Sequence, residues 1–290
     1  MRATDLTYRA IQGLAALSVF TVLVMPAVAT AQDASRVSDA KPPCNPTIDQ
    51  VKMTAPLKHV AQKIALGEPV TIVALGSSST AGAGATSQLN NYPNQLALDL
   101  QQRFPGQAFT VLNRGVNGEE VPDMLKRFDS AVMANKPDLL LWQLGTNSLI
   151  RDHNLNEPGS NIRVGLDKVR AIGADVVLID PQYAPKVIEK PLVGKMVEFI
   201  ASTAKQENVA LFRRFEVMKR WVEADNMPFT SFVIADGLHM NDWGYQCMAK
   251  GLGMAIAEAA SRNMISAKAS VKASAKLPVV SATAIVPTTR

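Results

Sequence analysis

The sequence predicts a three-layer α/β domain built on a parallel five-stranded sheet, and three observations carry that prediction. Short, nearly unbroken apolar runs recur along the chain. Most are followed by stretches whose apolar residues repeat at helical spacing, and the turns after the first three are rich in Gly, Asn and Ser. A strand that is apolar along its whole length is buried on both faces, the situation of a parallel sheet covered by helices on either side. The candidate strands are residues 70–75, 108–112, 138–144, 175–179 and 209–212.

The helical stripes lie between these runs. Ile48, Val51, Leu57, Val60 and Ile64 give a helical spacing broken by Pro56. After the first strand, Tyr92, Leu96, Leu100 and Phe104 repeat every four residues, as one face of a helix does. Val121, Met124, Leu125, Phe128 and Val132 mark a further helix, Ile162, Leu166, Val169 and Ile172 another, and Val193, Met196, Val197, Ile200 and Ala204 a third. Tyr245, Met248, Leu252, Ile256 and Ala259 form the closing helix. Beyond about Ser266 the chain turns to Ala, Ser, Lys, Val, Pro and Thr without that spacing, so residues 266–290 read as a disordered tail and the domain as 47–265.

The other end carries an export signal. Arg2 and Arg9 precede an apolar run over residues 14–25, and Ala29, Thr30 and Ala31 supply the small-residue cleavage pattern. The run falls short of the roughly 20 residues that span a bilayer. The expectation is therefore cleavage near Ala31 and a secreted or periplasmic protein with no retained membrane anchor, its residues 32–46 a polar linker. Both cysteines, Cys44 and Cys247, survive cleavage into a compartment where disulfides form, in segments assigned to the first and last helices; they are a candidate pair, with two separate buried thiols as the alternative. Two cysteines alone make no metal site. With 290 residues, 47% hydrophobic and 19% charged, the chain can bury a full core. Its net charge of +5 is scattered, without basic clusters or interleaved aromatics, which argues against a nucleic-acid partner.

Chemistry concentrates at the carboxyl ends of the strands, where open parallel sheets bind ligands. The first strand runs into Gly76-Ser77-Ser78-Ser79-Thr80-Ala81-Gly82, the second into Asn113-Arg114-Gly115-Val116-Asn117-Gly118, the third into Gly145-Thr146-Asn147-Ser148, and Asp236-Gly237-Leu238-His239 precedes the closing helix. The glycine-serine turn lacks the Gly-Lys-Ser/Thr ending of a phosphate loop, and no dinucleotide fingerprint opens the next helix. Thr80 occupies the place where the nucleophile elbow of α/β-hydrolases has its last glycine.

These four segments, in this order and spacing, resemble the SGNH hydrolases, also called GDSL esterases and lipases, over roughly residues 70–264. The resemblance implies a flavodoxin-like fold with strand order 2-1-3-4-5 and no cofactor. It aligns Gly76, Ser78, Thr80 and Gly82 with the first block, which makes Ser78 the nucleophile. Gly118 and Asn147 match the second and third blocks and join the Ser78 N–H as oxyanion donors. Asp236 and His239 match the last block as orienting acid and general base. Of the three histidines, His239 alone has a carboxylate three residues before it. The pattern departs at Ser77 and Ser148, where the family has Asp. Tyr183, His153 and Trp243 are candidate substrate contacts. The expected activity is hydrolysis of carboxylic esters through an acyl-enzyme, with short acyl groups such as acetyl on a carbohydrate or cell-envelope polymer favoured. An O-acetyltransferase, a lipase or lysophospholipase of the same fold, and a non-catalytic glycan-binding protein are the rivals.

Overall fold

The computed structural model describes residues 43–153 and 158–274. The expected export signal, residues 32–42 of the lead-in and residues 275–290 lie outside the described residues.

Five strands, β1 Val70–Gly76, β2 Phe109–Gly115, β3 Leu139–Gln143, β4 Asp175–Ile179 and β5 Ala210–Phe212, form one parallel sheet in the order β2-β1-β3-β4-β5. This is the expected fold class and strand order. Each strand falls on its apolar run, with β2 shifted toward its carboxyl end. There Asn113, Arg114 and Gly115 pair with Ala74, Leu75 and Gly76, so the two polar turns leave the sheet side by side. Ile72, Val73, Ala74 and Leu75 are fully buried, as are Leu139, Leu140, Leu141 and Trp142 beside them, because both faces of these central strands are covered.

The helices are α1 Lys58–Leu66, α2 Tyr92–Arg103, α3 Val121–Lys126, α4 Thr146–Ile150, α5 Pro158–Ala171, α6 Val193–Gln206, α7 Arg214–Glu223 and α8 Asp242–Ser274. One layer gathers α1, α2 and α8; in the other, α3 packs on α5 and α5 on β4. The spacing of Leu96 and Leu100 on α2 and of Met196 and Ile200 on α6 puts all four side chains in the core. Trp142 anchors the second layer: its ring centroid lies 5.4 Å from that of Phe128, and its indole N–H points at Met124 Sδ, 3.2 Å away.

Four details depart from the sequence reading. The stripe from Val121 to Val132 is two helices, α3 and a single turn at Phe128–Ala131. The chain breaks at Arg127, whose guanidinium turns back onto Glu119 and the Arg114 carbonyl. Helix α7 was not anticipated, since Val217, Met218 and Trp221 are set among charged residues and directly follow a three-residue strand. Helix α8 continues to Ser274 rather than ending near Ser266; the Ala-rich sequence there has intrinsic helix propensity without an amphipathic face. Finally, Cys44 sits in irregular chain before the single turn Ile48–Val51, not on a helix.

Cys44 and Cys247 form a disulfide that closes a loop of 203 residues. It fastens the lead-in to the first turns of α8, where Lys250 Nζ also donates to the Cys44 carbonyl. A cross-link across so long a loop restricts the unfolded chain strongly. The double variant Cys44→Ala/Cys247→Ala is expected to fold but to lose about 2–5 kcal/mol of stability, read from urea midpoints. Reductant should shift the wild-type midpoint toward that of the variant and leave the variant's own midpoint in place.

Candidate active site

β1 ends at Gly76 and the chain turns at once into a single helical turn, Ser78–Ala81, with Ser77 at its N-cap. This geometry sorts the three serines. Ser77 and Ser79 are buried. The Ser77 N–H and hydroxyl both donate to Gln143 Oε1, at 2.9 and 3.0 Å, which ties the turn to the end of β3. Ser78 alone of the three is only partly buried, and its Oγ lies 2.8 Å from His239 Nε2.

His239 reaches Ser78 from 161 residues away along a turn that Asp236 organises. Asp236 Oδ1 accepts the backbone N–H groups of Leu238 and His239 at 2.8 and 2.9 Å, while Oδ2 lies 2.5 Å from His239 Nδ1. Partial burial works to raise the Asp236 pKa, but the His239 side chain and these two N–H groups outweigh it. The carboxyl is held below the usual aspartate value and stays ionised toward the imidazole.

The turn carrying His239 is pressed against the loop that follows Ser78. Gly84 has φ +90°, and a β-carbon on it would overlap the Met240 carbonyl and lie 3.1 Å from His239 Cβ. Tyr245 Oη donates to the Ala83 carbonyl at 2.6 Å, and the Asp242 carboxylate receives the N–H and hydroxyl of Thr86 at 2.8 and 2.6 Å. The first turn of α8 therefore fixes both partners of the Ser78–His239 contact.

The ends of β2 and β3 complete the cluster. Asn113 Nδ2 donates to the Thr80 carbonyl at 2.7 Å, and the Val116 N–H to Gly76 at 3.0 Å. Asn147, on the first turn of α4, donates from Nδ2 to the Glu119 carbonyl at 2.8 Å, next to Gly118. Among the described residues, the N–H groups of Ser78 and Gly118 have no protein acceptor. Two unpaired backbone donors and an amide thus flank the strand end that carries Ser78. Ser148, one of the two departures from the family pattern, donates to Glu120 Oε2 at 2.7 Å.

The three candidate substrate contacts each have protein neighbours. Tyr183 packs edge-on to Phe215 with centroids 5.1 Å apart and stacks on Phe229, its hydroxyl reaching Glu223 on α7. Trp243 packs edge-on to Trp221 and lines a groove with Pro43, Cys44 and Cys247. Both rings are packed among aromatic neighbours. His153 is half exposed, with Nδ1 3.0 Å from Glu120 Oε2 at the rim beyond Asn147. Of the other histidines, His59 is bound to Asp138.

Sequence reasoning missed a buried polar group beneath the site. Arg214 and Asp180 are fully buried. Arg214 Nε donates to the Asp180 carbonyl at 2.9 Å and Nη2 to Gln182 Oε1 at 2.8 Å, which also accepts the Thr146 hydroxyl at 2.8 Å. Arg214 follows a short strand directly, and nothing in its spacing marks it as buried. Burial pushes the Asp180 carboxyl up to about 7, with the Phe215 N–H and the Arg214 charge pulling the other way. Among the described residues its Oδ2 and Arg214 Nη1 have no hydrogen-bond partner, and no group of His, Cys, Asp and Glu is arranged to hold a metal ion.

A family described as Non-GDSL lipase-like matches residues 43–262. The esterase TesA of Pseudomonas aeruginosa is 29% identical over 147 residues, covering 49% of this chain and 68% of TesA. An acetylxylan esterase of Geobacillus stearothermophilus is 23% identical over 163 residues, covering 52% of this chain and 74% of that protein. Among solved structures, a two-domain esterase active on acetylated mannans superposes with a TM-score of 0.62 at 17% identity, over 73% of this chain. The match spans only 56% of that protein's length, and at this identity it speaks for the fold alone.

The raised Asp180 carboxyl has a signed consequence. The native state keeps a proton that the unfolded chain releases near pH 3.8, so this group lowers stability as pH rises from about 4 to about 7. Asp180→Asn should remove that decline, and urea midpoints at pH 5 and pH 8 should lie closer together in the variant than in the wild type. An unchanged separation would count against the assignment.

Proposed function

The chain belongs to the non-GDSL lipase-like family, within the SGNH hydrolases, and from that premise we propose that it is an exported serine esterase. It removes short acyl groups, acetyl foremost, from a carbohydrate or cell-envelope polymer. The observation that carries the reading is the Ser78–His239–Asp236 alignment, with Oγ–Nε2 and Nδ1–Oδ2 separations of 2.8 and 2.5 Å. A serine hydroxyl becomes an effective nucleophile when a neighbouring imidazole takes its proton, and a carboxylate on the far ring nitrogen holds the imidazole in the required tautomer.

His239 Nε2 removes the Ser78 proton as Oγ attacks the ester carbonyl. Asp236, kept ionised, accepts from Nδ1–H and stabilises the imidazolium. The N–H groups of Ser78 and Gly118, unpaired among the described residues, receive the developing oxyanion together with an Asn147 amide hydrogen; donors held in place before the charge develops cost no reorganisation during the reaction. His239 then protonates the leaving alcohol, activates water against the acyl-enzyme and returns the proton to Ser78. Support for an acetylated carbohydrate comes from the similar acetylxylan esterase, and support for export from the leader pattern of residues 1–31.

The mature protein should label with a fluorophosphonate and hydrolyse p-nitrophenyl acetate, with acetylated xylo- or manno-oligosaccharides as the natural-type substrates. Ser78→Ala should abolish both activities. Ser77→Ala and Ser79→Ala should still label, and Asn147→Ala should lower kcat about 10²- to 10³-fold. Labelling that survives in Ser78→Ala would remove Ser78 from its role. A wild type that neither labels nor turns over would overturn the esterase reading. Acetyl transfer to an added acceptor sugar in preference to water would make the enzyme a transferase.

A further inference from the structure

Glu120 ties the turn after β2 to helix α4 at the one point where both touch the oxyanion donors. Its Oε2 accepts the Ser148 hydroxyl at 2.7 Å and lies 3.0 Å from His153 Nδ1, while Oε1 receives Arg151 Nη1. Arg151 Nη2 in turn donates to the Gly118 carbonyl at 2.8 Å, and Asn147 Nδ2 to the Glu119 carbonyl. Gly118, Glu119 and Glu120 are thus all held from α4, by Arg151, Asn147 and Ser148. The Glu120 side chain is only 13% exposed, whereas Arg151 and His153 are 45% and 55% exposed. The carboxylate is therefore the inner member of the cluster, and Arg151 and His153 lie outside it. Burial works to raise the Glu120 pKa, but the hydrogen bonds from Ser148, Arg151 and His153 prevail and keep the carboxylate charged.

We propose that Glu120 is a positioning residue for the oxyanion hole, and that it supplies from the β2 turn the carboxylate that the family pattern places at position 148. The inference rests on the esterase reading for its catalytic consequence. Ser148 is the complement of Glu120: with a hydroxyl there, one negative charge is shared between the turn and α4, and Arg151 balances it. An unbalanced carboxylate next to the oxyanion would oppose the charge that develops in the transition state. An aspartate at 148 facing Glu120 would place two carboxylates within hydrogen-bond distance, and like charges so close cannot both ionise without penalty. Misplacing a donor by about 1 Å costs on the order of a hundredfold in rate, so loosening this tie acts on turnover more than on binding.

The test compares wild type, Glu120→Gln, Ser148→Asp and the exchange Glu120→Gln/Ser148→Asp. Each is assayed for kcat and KM on p-nitrophenyl acetate, for stoichiometric fluorophosphonate labelling, and for amide deuterium exchange over residues 116–121. Each single variant should lose about tenfold or more in kcat with KM within about threefold, label to completion, and exchange faster over 116–121. The exchange variant should recover most of both losses, because the carboxylate is restored from the other side. Unchanged kcat in Glu120→Gln, or an exchange variant no better than Ser148→Asp, overturns the proposal. If the wild type has no esterase activity, the functional reading fails, and the exchange rates alone decide the tie: faster exchange in the singles with rescue in the double upholds it, and equal rates overturn it.

Discussion

A β-carbon on Gly115 would overlap the backbone nitrogen of Ala81 and lie 2.6 Å from Ala81 Cα and from the Thr80 carbonyl carbon. The rest of the site depends on this close approach of two backbones. β1 and β2 run parallel in register to Gly76 and Gly115, and the chain beyond Gly76 must fold immediately into the turn that presents Ser78. Only with no side chain at Gly115 can that turn lie against β2, where Asn113 grips the Thr80 carbonyl and the Gly118 turn is brought alongside. A second contact of the same kind, Gly84 against Met240, admits the His239 turn from the other side. Both contacts are backbone against backbone, so neither relaxes by a rotamer change.

Around this frame the polar groups are arranged by how much water they retain. Ser78, His239 and Asp236 keep some exposure, and the hydrogen bonds to Asp236 together outweigh its desolvation. Below them Ser77, Gln143, Thr146, Gln182, Asp180 and Arg214 are buried and linked by hydrogen bonds around the ends of the strands and the first turn of α4, with Asp180 Oδ2 and Arg214 Nη1 left without a partner among the described residues. Buried polar side chains are costly unless paired. Here the pairing stiffens the sheet edge that carries the reactive groups, and the Ser77 that replaces the family aspartate joins this lower layer as a donor to Gln143.

The other departure, Ser148, is accommodated above the frame. Its hydroxyl meets Glu120, so a carboxylate is present between the β2 turn and α4 although the chain has none at 148. Neither substitution leaves a buried acceptor without a donor. Both fit a branch of the fold in which the same strand ends are held together by different side-chain pairs.

Much of this was legible in the residues. The strands are apolar because both of their faces are buried, and the helices show their stripes because only one face is, so number, type and order of most elements follow from patterning. The four blocks, each at a strand end or before the last helix, name Ser78, Gly118, Asn147, Asp236 and His239 as the group to look for, and the paired cysteines stand out by their rarity. Helix α7 was hidden because its apolar residues lie among charges and follow a three-residue strand directly. The neighbours of Tyr183 and Trp243 were hidden because position near a strand end does not say which way a ring turns; both turn into aromatic neighbours. Arg214, Asp180 and Glu120 carry no local signal at all. Periodicity and motif are properties of neighbouring residues in the chain, and they marked the elements of the fold and the candidate reactive groups; which side chains meet across long stretches of chain is decided by packing, and only the tertiary structure supplies it.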